Sequence, residues 1–301
     1  MRVIDVGALR SDDGAAMRAL TAEIGEAARD IGFFAITNHG VSEALLERVF
    51  DLSRAFFGQS DAQKAPLSSK KATNYAGWAR IGVERLDPAR PGDAKESFNI
   101  ALDQFGMWPS LDGFQTTMLE YFRVMTDLMI ALHRPIALDL GLDDPDFFTP
   151  LLEEPMSVLR LLRYPPHPGE FDGDLHGAAP HTDYGLLTLL AQDGTAGLEV
   201  RARNGTWVEV EPTPGTFVCN IADSLMRWTN DIYVSTPHRV VNRSGRERYS
   251  VAFFGDPNAD ALIECLPACA SADRPPKYPP ITYRAYQKIL YEATYGRAKS
   301  A

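Results

Sequence analysis

Residues 157–254 limit the fold more than any other part of the chain. They form a succession of short β-type runs, at 157–162, 188–191, 198–200, 206–210, 216–220, 238–240 and 248–254, separated by Gly, Pro, Asn and Asp. No helical period intervenes, so a parallel sheet with crossover helices is excluded. Many short strands with regular turns close into a sandwich or barrel. Arg203-Asn204-Gly205 and Ser244-Gly245 carry hairpin signals, because these residues accept the backbone angles of tight turns.

The rest of the chain is mainly helical and is expected to flank this core. Residues 2–6 read as an edge strand. A helix over 15–29, capped by Asp12 or Asp13, follows from Met17, Leu20, Ile24, Ala27 and Ala28 at helical spacing. Gly32-Phe33-Phe34-Ala35-Ile36 is a short buried strand, and Asn38-His39-Gly40 turns it into a helix capped by Ser42. His39 is read as a turn residue. The longest helical signal covers 114–140, and His133 near its end is read as a satisfied surface or core residue rather than a ligand. Residues 60–92 form a polar loop with Asn74-Tyr75-Ala76-Gly77-Trp78, Arg80, Glu84 and Arg85. A loop this long suits a lid or rim. An extended run over 95–100 follows it. A Pro-rich stretch at 273–280 precedes a last helix, capped by Thr282 and running to Tyr291, over the barrel mouth or its flank.

Bulk composition narrows the partners. The net charge is −10 with 45% hydrophobic residues, which gives a sizeable core and disfavours a nucleic acid polymer or an anionic membrane. No apolar run is long enough to span a bilayer. The N-terminus has no signal-peptide pattern and there are 3 cysteines, so a cytoplasmic protein without a disulfide framework is expected. The expected state is a monomer or weak homo-oligomer acting on a small molecule. There is no GxGxxG after a strand and no Walker loop, which removes the main support for dinucleotide and P-loop readings.

The chemistry starts at His181-Thr182-Asp183. On an extended strand His181 and Asp183 share a face. His238, on a later strand, adds a second imidazole. Two imidazoles and a carboxylate arranged facially bind non-haem Fe(II) with positions left open. Zinc accepts the same set with a water, so a zinc hydrolase is the rival, and a barrel that binds metal without turnover is another. Arg248 and Ser250 share a strand face beyond the Ser244-Gly245 turn. A guanidinium with a hydroxyl suits a carboxylate. A dicarboxylate whose keto-acid end chelates iron fits both features. Tyr75, Trp78, Arg80, Phe98, Asn99, Tyr184 and Phe254 are candidate pocket residues, and the rim arginines favour an acidic or polar substrate. Asn220 and Asp223 are candidates for orienting His181 and His238.

These residues, with Gly32-Phe33-Phe34, Asn38-His39-Gly40-Val41 and Thr229-Asn230, resemble the isopenicillin N synthase-like branch of the Fe(II)/2-oxoglutarate-dependent dioxygenases. The resemblance covers nearly the whole chain. It implies an all-β catalytic core with flanking helices, a double-stranded β-helix (a cupin-like jelly roll). It implies four regions: an N-terminal mixed α/β region over 1–110, a long supporting helix and connection over 111–156, the jelly-roll core over 157–256, and a C-terminal extension over 257–301. It places the iron ligands on His181, Asp183 and His238, and 2-oxoglutarate on Arg248 and Ser250, with Tyr164 reaching the co-substrate. Leu162 departs from the pattern, since plant members often carry Asn there. The implied activity couples decarboxylation of 2-oxoglutarate, with molecular oxygen, to hydroxylation, desaturation or cyclisation of a small polar metabolite, as in secondary metabolism. Ring-forming oxidation without 2-oxoglutarate and ethylene formation are the alternatives within the family.

Overall fold

The structure is a computed structural model that describes residues 1–69, 76–87, 89–101, 108–167 and 175–295, except the side chains of 293–295. In chain order its elements are β1 (Arg2–Asp5), α1 (Gly14–Asp30), β2 (Phe33–Thr37), α2 (Glu43–Phe57), α3 (Asp61–Lys64), β3 (Gly77–Ala79) and β4 (Glu96–Ala101). Then come α4 (Phe114–Asp139), β5 (Val158–Tyr164), β6 (Ala178–His181), β7 (Leu187–Gln192), β8 (Leu198–Arg201), β9 (Trp207–Glu209), β10 (Phe217–Ile221) and α5 (Asp223–Trp228). The chain finishes with β11 (His238–Val240), β12 (Arg248–Gly255), β13 (Leu262–Ile263), β14 (Ile281–Thr282) and α6 (Tyr283–Tyr295).

Local chemistry sets the helix ends. Asp13 accepts hydrogen bonds from the amides of Ala15 and Ala16, and Ser42 accepts one from Leu45. Both relieve amides that have no partner inside the helix. Gly32 then lets α1 turn into β2. Its φ is +66°, and a Cβ there would lie 1.9 Å from the Val234 carbonyl oxygen.

The strands make a large sheet of eight in the order β1-β2-β10-β7-β12-β5-β4-β3, and a smaller sheet of four in the order β6-β11-β8-β9. This is the expected double-stranded β-helix with flanking helices. Strands alternate their side chains, so the large sheet has two distinct apolar faces. Phe34, Leu161, Leu189, Phe217, Val251 and Phe253 point outward into one core with Ile24 of α1, Phe56 of α2 and Met125 of α4. Phe33, Leu162, Tyr164, Val218 and Ala252 point inward and meet Ala178, Leu198, Val200 and Val240 of the small sheet. Each large side chain buried this way contributes about 1.5–3 kcal/mol. The space between the sheets that these residues do not fill is the cavity described below. No helix among the described residues is long and apolar enough to cross a membrane.

Two expectations change, at Ser244-Gly245 and in the 60–92 loop, while His133 and His39 are as expected. Ser244-Gly245 does form a turn, with Gly245 at φ +73°, but it is not a hairpin. β11 pairs with β6 and β8, whereas β12 pairs with β5 and β7. A turn signal is local; both edges of β12 are taken by strands remote in sequence, so the turn crosses between sheets. The 60–92 loop is partly ordered by α3, with a capping box at Ser60 and Gln63, and by β3. His133 is buried, 2% exposed, with its Nδ1 2.7 Å from the Met129 carbonyl. Burial pushes it down to about 4, so it is a neutral core residue. His39 is the turn residue expected: it bonds Gly215 O at 3.2 Å and accepts the Val41 amide at 3.1 Å.

Candidate active site

His181 ends β6, and the chain leaves the strand before Asp183. The expectation that both lie on one extended strand is therefore corrected: Asp183 sits in the turn that carries the chain to the large sheet. The first turn of α5 fixes that segment. The Asp223 amide donates to Asp183 O at 2.9 Å, and the Ser224 hydroxyl donates to Tyr184 O at 2.6 Å. Directly across the β6–β11 ladder from His181 is His238. The two rings lie 4.3 Å apart, centroid to centroid.

The candidate ligand atoms of His181, Asp183 and His238 all lie within 4.8 Å of one another. Each imidazole is oriented by the carbonyl two residues before it. His181 Nδ1 is 2.8 Å from Ala179 O, and His238 Nδ1 is 3.2 Å from Thr236 O. A carbonyl only accepts, so each Nδ1 carries the proton and each Nε2 presents a lone pair. These Nε2 atoms face Asp183 Oδ1 at 3.8 and 3.7 Å. The other carboxylate oxygen, Oδ2, is taken by the Thr188 hydroxyl at 2.5 Å and the Asn220 amide at 2.8 Å. Three electron pairs thus converge with no hydrogen between them, an arrangement that a cation resolves. Burial first, and His238 second, hold His181 well below the usual imidazole range. Burial opposes the charge on Asp183, but the two histidines and its hydrogen bonds keep it below the usual carboxylate range. The donors are therefore in their metal-binding forms, and they fit Fe(II). Asn220 and Asp223 do not orient the histidines: Asn220 holds Asp183, and Asp223 accepts from the Thr182 hydroxyl at 3.1 Å.

On the inward face of β12 a row runs Arg248, Ser250, Ala252 and Phe254, and Asp256 continues it past the strand; all five line the cavity. Arg248 is 0% exposed. Its Nε donates to Thr195 O at 3.2 Å, Nη1 to Ser250 Oγ at 3.3 Å and Nη2 to Gln192 Oε1 at 2.9 Å. It lies over the Tyr164 ring, 4.9 Å from the centroid. All these acceptors are neutral, and no carboxylate among the described residues pairs with it. The Asp193 carboxylate acts on it only from beyond ion-pairing distance; a buried charge without a directly paired counter-ion is costly, so the site suits an anion.

The far part of the cavity is lined by Asn99, Arg160, Tyr184, Phe254, Asp256 and Tyr291. Of the expected pocket residues, Asn99, Tyr184 and Phe254 are brought there. Phe98 is not: it is adjacent to Asn99 on β4, so alternation turns it outward against Phe56 and Phe114. Trp78 pairs with Phe98 across β3 and β4 and shares that face, with its indole N–H donating to Glu96 at 2.8 Å. Arg80 is largely exposed and pairs with Asp61 at 3.4 Å. Tyr75 lies outside the described residues. Lys95, Arg160, Asp256 and Tyr291 were missed. The even spacing of Arg160, Leu162 and Tyr164, and of Phe254 and Asp256, carried the signal for two of them.

Burial pushes the Asp256 carboxyl up to about 8. The folded protein then keeps a proton that the unfolded chain releases near pH 4. Stability is full below that and falls as pH rises towards 8. Asp256→Asn should remove this dependence. Apo protein melted at pH 5 and pH 8 should show the wild type losing stability relative to the variant, by up to about 1.4 kcal/mol per pH unit. Parallel curves would refute it.

Comparison with known proteins agrees with this geometry. Residues 154–257 match the model of the 2OG-Fe(II) oxygenase superfamily. Residues 1–111 match the model described as non-haem dioxygenase in morphine synthesis N-terminal. A 2-oxoglutarate-Fe(II) type oxidoreductase of Emericella nidulans is 34% identical over 99% of this chain and 91% of its own length. A homoarginine-6-hydroxylase of Oryza sativa subsp. japonica is 36% identical over 88% of this chain and 87% of its own. A full-length Neurospora crassa protein, solved in complex with alpha-KG, superposes with a TM-score of 0.90 at 32% identity, covering 97% of this chain and 96% of that one. The same protein with alpha-KG and thymine gives 0.88 at 30% identity, covering 99% and 97%. With the triad in place and its relatives named, the chain belongs to the 2OG-Fe(II) oxygenase superfamily and is an Fe(II)- and 2-oxoglutarate-dependent oxygenase.

Proposed function

We propose that this oxygenase hydroxylates a small, neutral, planar polar metabolite, with 2-oxoglutarate held by Arg248, Ser250 and Tyr164. The observation that carries the substrate class is the charge balance of the cavity wall. Its two bases, Arg160 at the far end and Lys95 towards Tyr164, are matched by two acids. Asp93 pairs with Lys95 at 2.5 Å, and Glu84 reaches Lys95 and Arg160, each at 3.3 Å. Asp256 is largely protonated at neutral pH. Among the described residues these charges cancel, which favours the polar side of the expected acidic or polar substrate. What remains is a set of donors and acceptors around aromatic walls. Arg160 donates to Asn99 at 2.7 Å and lies over Phe254, and Tyr184 meets Tyr291 edge to face at 5.9 Å. The thymine in complex with the Neurospora crassa protein is a neutral planar ring of this kind.

Bound Fe(II) supplies the chemistry that couples decarboxylation of 2-oxoglutarate to succinate and CO₂ with oxidation of a C–H bond by O₂. The chain's own residues hold the reactants. His181, Asp183 and His238 would hold the metal at the wall of the cavity in which the reactants would bind. Arg248 and Ser250 take the distal carboxylate, and Tyr164 covers it. Phe33, Leu162, Leu190 and Ala252 keep the space between the reactants apolar and dry. The N-terminal match over residues 1–111 and the Gly32-Phe33-Phe34 to Asn38-His39-Gly40 corner support the isopenicillin N synthase-like branch. The hydroxylase relative supports hydroxylation over ring closure, ethylene formation or turnover without 2-oxoglutarate. The unpaired Cys219, Cys265 and Cys269 support a cytoplasmic setting.

The test is anaerobic titration of the Fe(II)/2-oxoglutarate protein with thymine and with L-homoarginine, following the visible charge-transfer band. Thymine should shift the band and L-homoarginine should not. The reverse result would overturn the neutral class. Absence of any band with 2-oxoglutarate would overturn the co-substrate site.

A further inference from the structure

β6 is an edge strand of the small sheet among the described residues: β11 pairs with one side of it, and no described strand pairs with the other. It is 4 residues long and ends on a metal ligand, His181. The register opposite it is irregular between His238 and Val240. His238, by contrast, lies on β11 with strands on both sides. Of the two histidines, His181 has the weaker backbone support.

The open side of β6 is filled by a side chain. Asp93 Oδ1 accepts the Ala179 amide at 3.1 Å. Ala179 is the residue whose carbonyl takes the His181 Nδ1 proton at 2.8 Å. Asp93 is itself fixed from several directions. It is 2% exposed, its Oδ2 binds Lys95 Nζ at 2.5 Å, and its own amide donates to Glu84 O at 2.9 Å. The Ala94 amide donates to His176 O at 2.8 Å, which ties the same loop to the start of β6. Lys95 in turn pairs with Glu84 at 3.3 Å, and Glu84 with Arg160 at 3.3 Å.

We propose that Asp93, held by Lys95, is a positioning residue for the metal ligand His181, bonding the outer edge of β6 where no described strand does. The assignment rests on His181 as a ligand and goes beyond it by giving the 80–95 loop a part in metal binding. The chain from half-buried Arg160 and Glu84 through buried Lys95 and Asp93 to Ala179 also joins the substrate end of the cavity to the metal end. A buried ion pair stabilises little by itself, because taking both charges out of water offsets their attraction. Its use here is geometric: it leaves Asp93 one orientation, with an oxygen aimed at Ala179.

The test compares two double variants of the apo protein by anaerobic Fe(II) titration without 2-oxoglutarate. Asp93→Asn/Lys95→Met removes both charges and keeps an oxygen for the Ala179 amide. Asp93→Ala/Lys95→Met removes both charges and the oxygen. The first should bind Fe(II) within about threefold of wild type. The second should bind about tenfold more weakly, the lower end of what loss of groups that orient metal ligands costs. A role confined to folding would move both doubles together, so equal affinities would overturn the proposal. If the alanine double does not fold, the single Asp93→Ala variant, which leaves Lys95 paired with Glu84, should show the same tenfold loss. Wild-type affinity there would equally overturn it. Leu132→Ala, in the core of α4, is the destabilised control and should keep wild-type affinity; a matching loss there would also refute the assignment.

Discussion

His181→Ala should lose Fe(II) binding by more than ~100-fold, and succinate formation with it. Removing groups that merely orient metal ligands already costs about 10–100-fold, and this change removes a ligand. The loss should not come from unfolding. His181 sits at the end of β6 and is only partly buried, with its side chain 21% exposed. Deleting it also relieves a site where lone pairs converge on Asp183. Apo His181→Ala should therefore melt at or near the wild-type temperature while an anaerobic Fe(II) titration fails to saturate. Full metal occupancy in the variant would refute the ligand assignment. His238→Ala should behave alike in metal binding, but it removes a ring that packs edge-on against Phe33, 5.3 Å away, so a larger stability loss is expected.

Arg248→Met should separate co-substrate from metal. Truncating one partner of a buried charge pair costs about 2–5 kcal/mol, so 2-oxoglutarate affinity should fall by ~100-fold or more while Fe(II) affinity stays within a fewfold. The apo protein should respond in the opposite sense. Arg248 is fully buried among neutral acceptors, and an apolar side chain of similar length removes the cost of keeping a charge out of water without a direct ion-pair partner. A melting temperature that rises as 2-oxoglutarate binding falls would mark the position as built for a ligand. Arg248→Lys should not restore binding, because an ammonium cannot reproduce the planar two-pronged donor. Unchanged 2-oxoglutarate affinity in Arg248→Met would remove the anchor from this position.

The strand pattern of residues 157–254 made the barrel legible, because period-two alternation and turn residues are local properties. The triad was legible because its residue types are few and their chemistry is narrow. What sequence could not supply was pairing. Ser244-Gly245 looked like a hairpin and is a passage between sheets. Phe98 and Trp78 looked like pocket walls because they are aromatic near a rim; register sends them to the outer core. Asn220 was expected beside a histidine and instead holds the carboxylate. Lys95 and Asp93 drew no attention as sites because buried ion pairs have no periodic signature. Their partners, Glu84, Arg160 and Ala179, are scattered along the chain.

The inward row of β12 has one more consequence. Arg248, Ser250, Ala252, Phe254 and Asp256 place the co-substrate anchor and part of the substrate wall on a single backbone. The reach from one to the other is thus counted in residues of one strand. Inserting or deleting a single residue between Ser250 and Phe254 would turn one half of the row inside out. It would drive an outward core side chain such as Val251 or Phe253 into the cavity and expel an inward one. Only changes made in pairs preserve the parity. A pocket of this design can lengthen or shorten along β12 in steps of two residues, about 7 Å. Finer adjustment of where a substrate carbon sits must come from side-chain size at Ala252 and Phe254, or from the walls contributed by other strands and by α6.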